Sequence, residues 1–253
     1  MHFTSETSSN GVIERNFTLD EITGVLWSPT SATVGAPLLL FGHAGGMHKK
    51  APGLVASALH SVTTYGFAVA AIDAPGHGDR SRDLQDQQWV EAIHRARAAV
   101  EPIAAIGIDY NMSLAERAVP EWQATLDALQ ALPEIGAEAP VGYGGMTLGV
   151  VTGLMLTAVE SRIAALSIGG VFVHDALIEA ARKITVPVEY RIPWDEDEID
   201  HAAAIALFDA FGSTDKAMHA HPGRHNQVPE YERDSSVRFF ARHLGRAADT
   251  ASD

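Results

Sequence analysis

The chain has no cysteine in its 253 residues, which excludes disulfide cross-links, thiolate nucleophiles and Cys-ligated metal centres together. It is also poor in positive charge. Eighteen Lys and Arg stand against 32 Asp and Glu, a formal net charge of -14. Nucleic acid is therefore not an expected partner, because neutralising phosphates needs basic patches. No apolar stretch reaches the roughly 20 residues of a membrane-spanning helix, so a membrane is not expected either. Residues 1–10 carry neither a basic n-region nor an apolar run, and a cytoplasmic protein is the expectation. Repeats, low-complexity tracts and Pro/Ser-rich linkers are lacking too, so a single domain over 1–253 is expected. A composition that is 46% hydrophobic and 20% charged is that of a globular chain with a sizeable core.

What is present is an alternation of short apolar runs and helical patterns. Residues 1–13 are polar and expected to be loose. Residues 14–20 and 22–27 alternate as two leading strands with a tight turn between them. Pro37-Leu38-Leu39-Leu40-Phe41 and Phe67-Ala68-Val69-Ala70-Ala71-Ile72 are continuous apolar runs, as in strands buried on both faces. Similar strands are expected at 163–168, 186–192 and 216–221, with helices near 51–65, 114–132, 148–160, 175–183, 202–211 and 230–244. Residues 81–112 are more charged and read as a small helical lid over one end of the sheet. The alternation predicts an α/β fold, a doubly wound, mostly parallel sheet with helices on both faces.

The stretch 139–153 reads as a strand, a very tight turn and a helix of small apolar residues. Within it, Gly145-Met146-Thr147-Leu148-Gly149 has the spacing of a nucleophile elbow, G-x-S-x-G, with threonine at the centre. Thr147 is equally well suited to cap a helix N-terminus. In a doubly wound sheet the functional loops lie beyond the carboxyl ends of the strands. Loops 42–47, 74–80, 146–148, 193–200 and 222–227 fall there. In chain order they offer a hydroxyl (Thr147), a carboxylate (Asp195 or Asp197) and an imidazole (His225).

Those residues resemble an α/β-hydrolase of the cap-poor type near dienelactone hydrolases and small esterases, over about residues 14–245. Gly42-His43-Ala44-Gly45-Gly46 resembles the family's HGGG-type loop, and Asp73-Ala74-Pro75-Gly76-His77-Gly78 its D-x-P-G-H-G turn. Asp197-Glu198-Ile199 resembles the D-x-x-V that carries the acid, and Gly223-Arg224-His225 the G-x-H of the catalytic histidine. The resemblance implies ester or lactone hydrolysis of a small or medium organic substrate without a cofactor. Thr147 would attack, His225 would serve as base and then acid, and Asp197 would orient it, with Asp195 the alternative. Leu148 with Ala44 or Gly45 would hold the oxyanion. His43 and His77 are expected to be structural, while Trp194 and Trp89 are candidates to line the pocket. The departure is the nucleophile: threonine's methyl stiffens χ1 and crowds the attacking face. Non-hydrolytic chemistry on the same scaffold, or ligand binding alone, is the alternative it opens. A metal at His219, His221 and His225, and a degenerate dinucleotide fingerprint at 142–147, are the weaker readings. A small-molecule substrate is the expected partner, and a homodimer is left open.

Overall fold

The computed structural model describes residues 1–31, 35–225 and 227–245. Asn226, inside the candidate loop 222–227, lies outside the described residues. In chain order the elements are β1 (His2–Ser9), β2 (Val12–Leu19), β3 (Ile22–Pro29), β4 (Leu38–Gly42), α1 (Pro52–Tyr65), β5 (Ala68–Ile72), α2 (Leu84–Ala98) and α3 (Ala104–Gln130). They continue with β6 (Val141–Met146), α4 (Leu148–Thr157), β7 (Ile163–Gly169), α5 (Asp175–Lys183), β8 (Val188–Pro193), α6 (His201–Ala210), β9 (Lys216–His221) and α7 (Glu230–His243).

The strands form one nine-stranded sheet in the order β1-β2-β3-β5-β4-β6-β7-β8-β9. The pairs from β1 to β5 are antiparallel, and the pairs from β5 to β9 are parallel. After β4 the chain goes to β5 on one side and then returns to place β6 on the other. That reversal leaves a crevice at the carboxyl ends of β4 and β6, where doubly wound sheets bind ligands. The apolar runs divide by alternation between the two faces. Leu38 and Leu40 enter the core beneath α3, α4, α5 and α6, while Leu39 and Phe41 pack under α1 and α7.

Two expectations need correction. Residues 2–9 are not loose but form β1, paired with β2 from His2↔Thr18 to Ser9↔Val12. Asn10 and Gly11 both take positive φ, 50° and 77°, the two-residue turn that an Asn-Gly pair favours in a hairpin. Residues 104–112 do not belong to a separate lid element. They are the first turns of the 27-residue helix α3, which runs through Pro120.

Around the crevice the backbones touch. A Cβ on Gly149 would lie 2.4 Å from the Gly42 carbonyl oxygen, and one on Gly145 would lie 2.6 Å from the Gly149 oxygen. Only hydrogen fits at either position, and this lets α4 begin hard against β4 and β6. Gly149→Ala should therefore destabilise the fold by about 2–3 kcal/mol through overpacking. Gly53→Ala, in α1 with open space around it, should lie within about 1 kcal/mol of the parent or slightly above it. Thermal and urea unfolding of the two variants side by side would check this.

Candidate active site

Thr147 sits between β6 and α4 with φ 49° and ψ -104°. A β-branched residue at positive φ is a strained exception, costing on the order of 1–3 kcal/mol. The strain turns the side chain away from the helix it precedes. Thr147 makes no side-chain capping bond to α4. Instead its Oγ1 accepts the backbone N–H of Gly45 at 3.2 Å. The hydroxyl thus faces the glycine loop beyond β4, and the N-cap role open to a threonine here is not taken. Leu148 opens α4, so its N–H has no carbonyl one turn back to bond.

The glycine loop is held from behind. The His43 ring lies between two backbone groups: Nδ1 donates to the Ala44 carbonyl at 2.9 Å, and Nε2 accepts the Ala74 N–H at 3.0 Å. Those partners require the neutral Nδ1–H tautomer. Burial lowers the His43 pKa to about 4, against the Ala44 carbonyl bond, which favours the protonated ring. His77 donates in the same way to the Pro75 carbonyl, and burial lowers it too. Both ring nitrogens of His43 are thus taken up by backbone, while His77 also lines the Thr147 cavity.

Asp73, fully buried, ties the loop to its neighbours. Its carboxylate accepts the Lys49 N–H at 2.8 Å, the Asp79 N–H at 3.1 Å and the Thr23 hydroxyl at 2.8 Å. Lys49 Nζ pairs with it at 2.5 Å. Burial alone would raise the Asp73 pKa, but these donors outweigh it and hold the group below the usual carboxylate range.

His225 lies at the far side of the crevice, and its carboxylate partner is neither of the aspartates expected from sequence. Nδ1 makes a short hydrogen bond to Glu196 Oε2, and the His225 backbone N–H reaches the same oxygen at 3.3 Å. With Nδ1 donating, the Nε2 lone pair is left for a proton. The Glu196 side chain is only 7% exposed. Asp197, 86% exposed, pairs with Arg224 at 3.0 Å. Asp195 Oδ2 accepts the Gly223 N–H at 2.7 Å and so pins the histidine loop to the acidic loop. The four acids from Asp195 to Glu198 look alike in sequence; only the path of the loop decides which one turns inward. Trp194 is also corrected. It is half exposed and stacks on His201 with ring centroids 4.0 Å apart, and it lines neither cavity at the crevice.

Thr147, His225, Glu196 and Gly45 open onto one cavity of about 230 Å³. Its far wall comes from α2 and the start of α3, through Val90, Ile93 and Tyr110. Trp89 stands behind that wall, with its ring 6.4 Å from Tyr110. The histidines of the metal reading are dispersed. His219 bonds Glu232 at 3.1 Å, and His221 bonds the Pro222 carbonyl at 2.9 Å. No group of three possible metal ligands occurs among the described residues.

Comparison with protein-family models and with curated protein sequences returns no match. Solved structures do match. The PEG-bound form of a cold-adapted esterase from an Arctic intertidal metagenomic library has a TM-score of 0.74 at 27% identity. The match covers 96% of this chain and all of that one. An acetyl xylan esterase from Paenibacillus sp. R4 has a TM-score of 0.71 at 13% identity, covering 96% of this chain and 88% of that one. A dienelactone hydrolase from Anabaena variabilis has a TM-score of 0.65 at 17% identity, covering 95% and 98%. The shared architecture is the α/β-hydrolase fold.

The buried neutral His43 sets a pH dependence. Its folded pKa lies below its ordinary value of 6.5, so it contributes stability that is complete above pH 6.5 and is lost as pH falls towards 4. The loss should be on the order of 3 kcal/mol, with His77 adding in the same direction. His43→Gln should cost about 1–3 kcal/mol at neutral pH and flatten the slope between pH 6.5 and 4. Urea unfolding at stepped pH would measure both.

Proposed function

We propose that the protein is an acyl hydrolase acting on carboxylic esters or lactones, with Thr147 as nucleophile, His225 as general base and Glu196 as the acid that orients it. The observation that carries this reading is the strained backbone at Thr147, which presents the hydroxyl to the Gly45 N–H rather than to its own helix. A cap or a packing residue has no use for that conformation. The esterase and hydrolase neighbours support the same class of chemistry.

In the proposed reaction His225 Nε2 takes the Thr147 proton as Oγ1 bonds the substrate carbonyl carbon. The carbonyl electron pair moves to oxygen, which receives N–H groups from Leu148 and from Gly45 or Ala44. Such donors contribute about 3 kcal/mol each to the transition state. As the tetrahedral intermediate collapses, the bond to the alcohol oxygen breaks and His225 returns the proton to it. Water, deprotonated by His225, then attacks the acyl-threonine, and the acid leaves with Thr147 restored. Glu196 holds the Nδ1–H tautomer throughout and stabilises the imidazolium that forms twice. The extra methyl of threonine slows the attack relative to serine, because it restricts χ1 where the hydroxyl must swing towards the carbonyl.

Intact mass after exposure to a small fluorophosphonate tests the nucleophile. One equivalent should add to the parent protein, none to Thr147→Ala, and Thr147→Ser should label faster than the parent. An adduct that persists in the alanine variant, or silence from both parent and serine proteins, overturns the reading. Glu196→Gln should lower kcat/KM on a p-nitrophenyl ester by about 10²–10⁴-fold, whereas Asp197→Asn should stay within about twofold. The reverse order would return the acid to Asp197.

A further inference from the structure

Two hollows meet at the crevice, the cavity at Thr147 and a larger cleft of about 450 Å³ lined by α1 and α7. The smaller one carries two polar groups that the proposed chemistry does not use. Tyr110, on α3, is 5% exposed and lines the cavity. Its hydroxyl is buried and bonds no described residue. His77, 4% exposed, lines the same cavity. Its Nδ1 is engaged by the Pro75 carbonyl at 2.9 Å, and no described residue bonds its Nε2. The two rings are tilted by only 24°, with centroids 6.5 Å apart. They form one patch of wall beside Val90 and Ile93.

Their protonation states make the pair complementary to one kind of group. Burial raises the Tyr110 pKa, and the charge of Asp86 raises it further, so the phenol keeps its proton and is a donor. Asp86 is itself held by Arg117 at 2.6 Å and does not accept that proton. Burial lowers the His77 pKa against the effect of the Pro75 bond. With the single ring proton on Nδ1, Nε2 is an acceptor. An unpaired donor and an unpaired acceptor thus stand together on the wall, and leaving such groups unmet is costly once water is displaced. A carbonyl or ether oxygen can accept from Tyr110 but offers His77 nothing. An ammonium can donate to His77 but cannot accept from Tyr110, and a carboxylate sets its charge against the Nε2 lone pair. A hydroxyl donates and accepts at one oxygen and meets both.

We propose that Tyr110 and His77 bind a hydroxyl group carried by the substrate, and so select hydroxylated esters over plain alkyl esters of the same length. This substrate assignment rests on the acyl-hydrolase reading; the binding of a hydroxyl does not.

The test compares propyl butanoate with 3-hydroxypropyl butanoate and propyl 3-hydroxybutanoate, which carry the added hydroxyl on the alcohol and the acyl arm. Acid release is followed in a pH-stat. One of the two hydroxy esters should be preferred over the plain ester by about tenfold or more in kcat/KM, and in Tyr110→Phe that ratio should fall to about one. Ratios near one on the parent protein would leave the pair to a bound water and overturn the proposal, as would a preference that Tyr110→Phe retains. Tyr110→Phe should also melt at or above the parent's temperature, because the lost hydroxyl has no partner in the fold. A lower melting temperature would give that hydroxyl a structural bond and overturn the assignment. Calorimetry with Thr147→Ala, which should not turn the esters over, keeps the two readings distinguishable. A hydroxy ester that binds about fivefold or more tighter than the plain one, with the difference lost when Tyr110→Phe is added, supports the hydroxyl site even where the parent hydrolyses none of the three. Hydrolysis of all three at equal rates, with equal binding, removes the hydroxyl site and leaves the acyl-hydrolase reading in place. Neither turnover nor a difference in binding overturns both.

Discussion

The site depends on a place where nothing larger than hydrogen fits. The backbone of Gly149 lies against the carbonyl of Gly42, and this contact fixes the distance between the start of α4 and the loop that leaves β4. Were the two elements one methyl group further apart, the Gly45 N–H could not reach the Thr147 hydroxyl. The positive φ at Thr147 would also lose the packing that maintains it. Tyr143 closes the same junction from below, its buried hydroxyl donating to the Gly149 carbonyl at 2.9 Å. The strain stored at the elbow is thus balanced by close packing directly around it.

The buried carboxylates tie separate segments of the chain together. Asp73 gathers donors from β3, the segment just before α1 and the turn after β5. Glu196 ties the acidic loop to the histidine loop, and Glu189 anchors the middle of α7 through serine hydroxyls. Each carboxylate accepts several hydrogen bonds, as a buried charge must if it is to remain in the fold. The chain's net charge of -14 acts at longer range and is screened within about 8 Å at physiological ionic strength. The charged side chains lining the crevice, Glu196 and Glu198 with Arg82 and Arg97, therefore set the potential that a bound ligand meets.

Much of this was legible in the sequence. Continuous apolar runs flanked by glycine gave the parallel strands, because burial on both faces admits little else. The elbow glycines, the glycine loop and the histidine loop were readable because backbone sterics restrict which residues can stand there. The first strand was missed because a mostly exposed edge strand has no apolar alternation to reveal it. Asn10-Gly11 was the available signal. The acid was missed for a different reason. In Asp195-Glu196-Asp197-Glu198 all four side chains can accept a hydrogen bond from an imidazole N–H, and the choice among them depends on how the loop packs against His225. Trp194 looked like a pocket residue because large aromatics often are, but its ring found His201 instead.

The helix α3 belongs to two structures at once. Its first turns place Gly107, Tyr110 and Asn111 on the wall of the Thr147 cavity. Its later turns bury Trp122, Leu126 and Leu129 in the main core. Pro120 removes one backbone bond between these halves but leaves the rod continuous. The α3 part of the wall is thus continuous with the packing of the main core. The shape that α3 gives this side of the cavity is inherited from its packing on the sheet.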